Sequence, residues 1–210
     1  MKNNNNDMKN LNTYINEKLV IVHKNPYNCV PKTKNELKDI LRERLADDPD
    51  ADLNDIDVSN ITDMSYLFDG LDPHNIDISD WDVSNVQVMR GMFFGCKQLT
   101  SDLCHFDVSK VNDMISMFWG CKNFNSDLSN WDVSNVENMY CMFQYCTKFK
   151  SDLSNWDVSK VKDMRFMFNG CKKFTSDLSG WDVSNVEYML DIFDGCDSMK
   201  ELPEWYVNHR

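Results

Sequence analysis

Aspartate residues recur every 25 positions along this chain of 210 residues. Carboxylate oxygens are the ligands that Ca²⁺ prefers, so stacked aspartates could form calcium sites in a metal-binding structural protein. Aspartate also accepts a hydrogen bond from a backbone N–H two residues further on, in an Asx turn. We expect the Asx role, and therefore no metal and no cofactor. The two columns are Asp57, Asp82, Asp107, Asp132, Asp157 and Asp182, and Asp52, Asp77, Asp102, Asp127, Asp152 and Asp177.

Cysteine is the second residue type that could carry chemistry. Five of the eight cysteines share one register of the repeat, where stacked thiols could come within disulfide range. Parallel stacking points these side chains in one direction, and no CxxC cluster of the zinc type is present. We therefore expect small core residues with reduced thiols, which is typical of an intracellular protein. The column is Cys96, Cys121, Cys146, Cys171 and Cys196.

The sequence offers little support for catalysis. His23, His74, His105 and His209 share no repeat position, and none lies in a signature with a nucleophile. The glycines fall mostly where a helix would stop, and no glycine-rich phosphate loop is present. We expect a protein that is not an enzyme.

Two columns of the repeat vary widely in residue type, and a binding surface could lie there. A position that accepts both aspartate and tryptophan is expected to face solvent, and exposed aromatic residues beside arginine are typical of protein-binding hot spots. The alternative is that these side chains pack against long neighbouring side chains. The candidate partner-binding face is Arg90, Phe94, Trp119, Tyr140 and Arg165.

All of these columns belong to one unit of 25 residues that occurs six times without an insertion. Each unit carries Asp-Val-Ser after a large apolar residue, and a methionine and a phenylalanine follow at fixed distances. The helical spacing of these apolar columns predicts core packing rather than a cofactor-binding stripe. The columns are Ile56, Trp81, Phe106, Trp131, Trp156 and Trp181; Met64, Met89, Met114, Met139, Met164 and Met189; and Phe68, Phe93, Phe118, Phe143, Phe168 and Phe193.

Residues 126–150 show what one unit is expected to form. Residues 127–131 mix apolar with polar residues and predict a brief strand and a turn. A capping box that begins at Ser134 predicts a helix with Met139 and Phe143 on one face. Such a unit cannot bury its apolar face alone, so six units are expected to stack as a solenoid. The helix is expected to end where other units place Gly95, Gly120, Gly170 and Gly195.

The segments outside the repeat are expected to cap the stack. Residues 33–36 resemble a capping box and predict a helix that ends before Pro49. The apolar run Leu19 to Val22 predicts a strand. The chain is thus divided into a disordered tail over 1–14, an N-terminal cap over 15–46, the repeat solenoid over 47–200 and a C-terminal cap over 201–210.

The charge of the chain limits its partners. The formal net charge is −12, and residues 1–46 carry +4 while the remainder carries −16. Such an acidic body repels phosphate groups, so we expect no nucleic acid partner. No apolar run is long enough to cross a membrane, and the first seven residues lack the apolar core of a secretory signal. We expect an intracellular protein without membrane insertion.

The repeat resembles that of a known family. The pattern Phe-x-Ser-Asp-Leu-Ser-x-Trp-Asp-Val-Ser-x-Val-x-x-Met-x-x-Met-Phe-x-Gly-Cys is similar to the mycoplasma-type repeat of BspA-like leucine-rich-repeat surface proteins, and residues 31–37 and 60–68 are similar to that family's usual start. The resemblance covers about residues 27–200 and implies an α/β leucine-rich-repeat-like solenoid. Some relatives are linked to adhesion. We expect a non-enzymatic scaffold for protein–protein interaction; the alternative is a cell-surface or adhesion protein exported without a recognisable signal.

Overall fold

A computed structural model describes residues 28–209. The predicted disordered tail over 1–14, the predicted strand from Leu19 to Val22 and the first part of the N-terminal cap lie outside the described residues. Within them, two helices are present, α1 (Lys34–Asp47) and α2 (Glu204–Val207).

Helix α1 begins and ends where the sequence predicts. The Thr33 side chain accepts a hydrogen bond from the backbone N–H of Glu36 at 3.2 Å, which satisfies one of the free amides of the first turn. The Glu36 carboxylate reaches back to the backbone N–H of Lys32 at 2.7 Å. Leu37, Leu41 and Leu45 are buried against the first repeat unit, so α1 covers one end of the stack.

The predicted fold combined an N-terminal helical cap, which α1 provides, with an α/β leucine-rich-repeat-like solenoid of about six 25-residue coils, and the solenoid prediction is wrong. Between α1 and α2 the described chain contains turns, bends and isolated bridges, with no helix and no strand in any repeat unit. Neighbouring units are joined by parallel bridges of one residue each, which do not build a sheet. These bridges link Asp63 to Val88, Val88 to Asp113, Asp113 to Asn138, Asn138 to Asp163 and Asp163 to Tyr188.

Overlapping turns replace the predicted helix. The backbone N–H groups of Met92, Phe94 and Cys96 donate to carbonyls three residues earlier, at 3.1, 2.9 and 3.1 Å. Gly91 and Gly95 adopt positive φ of 55° and 73°, the left-handed region that a third turn residue enters in type II turns. A helix needs consecutive residues with negative φ, so two left-handed residues four positions apart end it before it can form.

The amides that the turns leave free join one unit to the next. In residues 89–95, every second N–H donates to a carbonyl 24 residues later in the chain, at 2.8 to 2.9 Å. Intra-unit and inter-unit bonds therefore alternate along the segment, and its backbone donors are satisfied without a helix or a sheet. The inter-unit pairs are Met89 to Asp113, Gly91 to Ile115, Phe93 to Met117 and Gly95 to Trp119.

The apolar columns form one continuous core, as the sequence predicts. Met139, Phe143 and Cys146 are fully buried, and the same columns are buried in the neighbouring units. The phenylalanine rings stack along the column, with Phe118 and Phe143 centroids 5.5 Å apart and nearly parallel. Large identical side chains in register thus pack against themselves along the stack.

Tryptophan and cysteine also tie the units together through hydrogen bonds. The Trp131 indole donates to the carbonyl of Leu103 at 3.0 Å, and the Cys146 thiol donates to that of Phe118 at 2.9 Å, each 28 residues earlier. The unit with phenylalanine in the tryptophan column has no indole to do this. There the ring of His105 lies 3.2 Å from the carbonyl of Ile78 and takes the equivalent place.

The last unit is partly covered by the C-terminal residues. The Trp205 indole donates to the carbonyl of Leu178 at 2.8 Å, and its ring stacks on Trp181 with centroids 6.3 Å apart. Tyr206 packs edge-on against Phe193 at 5.1 Å. No helix within residues 28–209 has the length and apolar character that a membrane crossing needs.

Candidate functional site

The first variable column begins with a stack of two aromatic rings. Phe94 and Trp119 lie on neighbouring units with centroids 4.6 Å apart and planes 9° from parallel. Both residues are half-buried, and the Trp119 indole donates to Oε1 of Gln144 at 2.9 Å. These two predicted residues are therefore adjacent, and each also packs against its neighbours in the column.

Polar side chains continue the same column beyond Trp119. The Gln144 amide lies 3.3 Å from Oδ1 of Asn169, and the Asn169 amide lies 3.4 Å from Oδ2 of Asp194. The column thus changes from aromatic stacking in its first half to an amide ladder in its second. Glutamine and tryptophan occupy equivalent backbone positions here, which makes Gln144 a template for substitution at Trp119.

Two exposed tyrosines flank the ring pair and lie outside the predicted partner-binding face. Tyr66 meets Phe94 edge-on at 6.3 Å and Tyr145 meets Trp119 at 5.8 Å. Their exposed fractions are 41% and 43%. The available signal was that tyrosine stands at position 145, where other units place glycine. Tyr66, Phe94, Trp119 and Tyr145 are named the aromatic cluster.

Both tyrosines occupy backbone positions that favour glycine. Tyr66 has φ +54° and Tyr145 has φ +64°. The Tyr66 ring lies over Gly91 so closely that a Cβ at Gly91 would come within 2.5 Å of it, and the Tyr145 ring covers Gly170 in the same way. A bulky residue in the left-handed region is destabilised by about 1–2 kcal/mol.

Arg90 lies near the aromatic cluster and is paired with a carboxylate. Its Nε and one terminal nitrogen donate to the same Asp113 oxygen at 3.0 and 2.7 Å. The hydrogen bond to the Asp113 carboxylate raises the pKa of Arg90, which stays charged. The guanidinium is exposed and held in one orientation by this pair.

Tyr140 and Arg165 form a separate group further along the stack. The Arg165 guanidinium lies 5.2 Å from the Tyr140 ring centre and 4.8 Å from that of Tyr188. Its side chain donates to the Asp163 carboxylate at 2.6 Å, and Tyr140 meets Phe166 edge-on at 6.1 Å. Among residues 28–209, no ring contact joins Tyr140 to Trp119. The five predicted residues therefore divide between two groups of aromatic residues.

The aspartate columns act in Asx turns, as the sequence predicts. Asp107 accepts from the backbone N–H of Ser109 at 3.0 Å, and Asp132 accepts from that of Ser134. Hydrogen bonds from Ser109 hold the pKa of Asp107 below its usual value. In the part of the chain that the structure describes, no group of three or more aspartates, glutamates, histidines or cysteines is placed to hold a metal ion.

The cysteine column is buried and unpaired. All eight cysteines of the chain are free thiols, and those of the column lie in the core. Burial raises the pKa of Cys196 to about 12, and burial also raises the pKa of Cys146 well above its usual range. These thiols stay protonated at neutral pH, which suits their role as hydrogen-bond donors to backbone carbonyls and leaves them unreactive.

Comparison with known proteins gives one match. The family model described as "Mycoplasma protein of unknown function, DUF285" matches residues 37–150 and 121–209. The two matches overlap within the repeat region and together span most of the chain. No curated protein and no solved structure matches the chain.

Proposed function

The chain belongs to this mycoplasma family of unknown function, and we propose that it is a non-enzymatic repeat scaffold that binds a protein partner through the aromatic cluster. The observation that carries the proposal is the pair Tyr66 and Tyr145. Each is exposed, and each holds a ring beside the Phe94–Trp119 stack from a left-handed backbone position.

The backbone strain supports a functional reading of these tyrosines. Glycine would fit both positions without strain, and five of the six units have glycine where the fourth has Tyr145. Strained residues cluster at ligand-contacting positions, where the strain holds a side chain in place. A ring that destabilises the fold and remains exposed is consistent with selection for binding.

The composition of the cluster fits a protein partner. Tyrosine, tryptophan and arginine dominate binding hot spots, because they bury large areas and still donate hydrogen bonds. The Arg90 guanidinium is exposed and fixed by Asp113, so it offers an oriented cation to a carboxylate or a carbonyl of a partner. Tyr140 and Arg165 extend the surface along the stack as a second contact region.

The proposal also includes a relationship to BspA-like surface proteins and an intracellular location. The 25-residue motif supports the relationship, and the leucine-rich-repeat fold of those proteins is not carried over. Eight unpaired cysteines support a reducing, intracellular compartment. Localising the native protein by fractionation, together with thiol titration of the native material, separates this location from surface display.

The test compares Tyr145→Gly with Ser116→Gly. Both variants place glycine at a residue with positive φ, but only the first removes a ring of the aromatic cluster. Relief of strain is opposed by the entropy of glycine and by the lost edge contact, so both variants should melt within about 1 kcal/mol of the native chain. The partner captured from the native source by the unaltered chain should be retained by Ser116→Gly and lost by Tyr145→Gly.

Trp119→Gln gives a second readout at the centre of the cluster. Glutamine should continue the amide ladder to Gln144, so the fold is kept. Binding of the captured partner should weaken by about 2 kcal/mol or more, the usual threshold for a hot spot. Full retention of that partner by both Tyr145→Gly and Trp119→Gln would contradict the proposed function.

A further inference from the structure

The last repeat unit ends in a row of backbone N–H groups that lack a hydrogen-bond partner within the described part of the chain. In the unit before it, the N–H groups of Met164, Phe166, Phe168 and Gly170 donate to the next unit at 2.7 to 3.0 Å. Their counterparts one unit later find no acceptor among residues 28–209. These free donors belong to Met189, Asp191, Phe193 and Gly195, and the surface that they form with their side chains is named the open edge.

The open edge is also apolar. Val161 and Met164 are fully buried, whereas their counterparts Val186 and Met189 are half-buried. Tyr188 and Leu190 are 51% and 57% exposed. Trp205 and Tyr206 cover the side of the last unit near Trp181 and Phe193. A groove of about 680 Å³ remains between Arg165 and His209. A surface with such N–H donors and exposed apolar side chains is suited to an added segment that presents carbonyls and apolar side chains, as the next unit does inside the stack.

The charge of the open edge indicates which kind of segment would bind there. Inside the stack, the Glu137 carboxylate is paired with Lys162 of the next unit at 2.7 Å. Glu187 occupies the same column on the open edge, where Lys162 of the preceding unit lies on one side of it and no ion pair is formed on the other side within residues 28–209. Asp191 and Asp194 add two further carboxylates beside the free donors. The edge therefore favours a segment with apolar residues, basic side chains and carbonyls at alternate positions.

We propose that residues 18–24 of a second copy of this chain dock on the open edge. The segment reads Lys-Leu-Val-Ile-Val-His-Lys, an apolar run between two lysines. Its carbonyls would accept from the free amides, and its lysines would meet Glu187 and Asp191. Main-chain hydrogen bonds supply affinity when a segment adds to such an edge, and the side chains supply specificity.

The distances require that the segment comes from another copy. Cys29 pairs with Ile56 and thus lies one layer before the first of the six units. A segment on the open edge would lie one layer after the sixth unit, which is seven layers from Cys29. At the spacing of neighbouring chains this separation is about 34 Å. Ile21 is seven residues from Asn28, a reach of at most about 25 Å. At the near end, α1 already covers the first unit, with the Lys38 ammonium 2.7 Å from the carbonyl of Tyr66.

Each copy then offers one segment and one open edge, so the contact is head-to-tail and leads to chains of copies rather than closed dimers. The contact lies at the end of the stack and does not use the aromatic cluster. The experiment is sedimentation equilibrium of the full chain over a range of concentrations. The expected result is a weight-average mass that rises with concentration beyond that of a dimer.

Two variants test the two surfaces. Leu190→Asp removes an exposed apolar side chain from the open edge, and Ile21→Asp places a carboxylate in the segment opposite the acidic edge. The first variant loses apolar contact and the second adds like-charge repulsion, so each should weaken self-association at least tenfold. Val207→Asp changes an equally exposed apolar residue outside the groove and is the control. An equimolar mixture of the two defective variants should form heterodimers and nothing larger, since only one intact pair of surfaces remains.

Several results would overturn the inference. One is a monomer mass at every concentration, and another is association that Leu190→Asp or Ile21→Asp leaves unchanged. Failure of the mixture to form heterodimers would also contradict it. Tyr145→Gly should leave self-association intact, so the proposed function and this inference can fail separately.

Discussion

The central unit, residues 126–150, and the last unit, residues 176–200, have nearly the same motif and different surroundings. Met139 is fully buried between two neighbours, whereas Met189 has a neighbour on one side and is half-buried. The Met139 amide donates to the next unit at 2.9 Å, whereas the Met189 amide has no acceptor among the described residues. The motif therefore does not contain its own core; each unit gains its core from the unit that covers it.

The largest predicted difference comes from truncating the methionine column. Met139→Ala should lower the free energy of unfolding by about 2–5 kcal/mol, because it opens a cavity in a close-packed interior. Met189→Ala should lower it by less than about 1 kcal/mol, because solvent already reaches that side chain. Urea denaturation of both variants measures the difference. Equal losses would show that the last unit is covered as fully as the central one.

A smaller effect is expected from glycine at a turn. Gly95 has φ +73°, and an added Cβ would meet no atom within 4 Å. Gly95→Ala should therefore lower the free energy of unfolding by about 1–2 kcal/mol, because of backbone strain alone. Gly180 has open space and no positive φ, and Gly180→Ala should be neutral or stabilising by up to about 1 kcal/mol. Thermal melts compare the two. A neutral Gly95→Ala would contradict the left-handed turn residue at Gly95.

The turns also show why the sequence predicts the core correctly and the secondary structure wrongly. Met139, Met142 and Phe143 are spaced as on a helix, and a series of overlapping four-residue turns buries the same positions. The residues with positive φ decide between turns and helix, and they fall in two columns of the repeat. Glycine occupies one column in five of the six units, and in the other column only Gly91 is a glycine. That column also holds Ser116, Cys141 and Phe166, which no local rule assigns to positive φ.

The candidate site was predicted in part for a related reason. Phe94 and Trp119 are adjacent because they share a column, which periodicity alone can show. Tyr66 and Tyr145 stand in other columns and meet the ring pair only through the turn geometry. Arg165 stacks with Tyr140 and Tyr188, a grouping that depends on side-chain direction.

The indole hydrogen bonds give a third comparison between interior and end. Trp131→Phe removes a buried bond to the carbonyl of Leu103 and should cost about 1–1.5 kcal/mol. Trp205→Phe removes a partly solvated hydrogen bond to the carbonyl of Leu178, where water can replace the indole. Loss of this bond should lower the free energy of unfolding by less than about 1 kcal/mol. Guanidinium denaturation followed by circular dichroism measures both. A larger loss for Trp205→Phe would show that the end is held more tightly than the interior.

Acid should weaken the stack gradually. The Ser154 backbone N–H and the Ser176 hydroxyl donate to Asp152 and hold its pKa below the usual value. The Ser179 backbone N–H lowers the pKa of Asp177 in the same way, and within residues 28–209 no serine hydroxyl of a further unit donates to Asp177. Because the folded-state pKa values are lowered, this stabilisation is present above about pH 4 and is lost as the pH falls through them. Chemical denaturation at pH 7, 5, 4 and 3 should show constant stability and then a decline. Increasing stability below pH 4 would contradict the Asx assignment.

The most direct test of the stacking account is native-state hydrogen exchange of single amides, read by NMR in dilute solution where the chain is monomeric. Met164, Phe166, Phe168 and Gly170 donate to the next unit and should exchange at least about a hundredfold more slowly than exposed amides. Their counterparts Met189, Asp191, Phe193 and Gly195 should exchange much faster than these four. Similar slow exchange in both sets would contradict the alternating ladder and the open edge together.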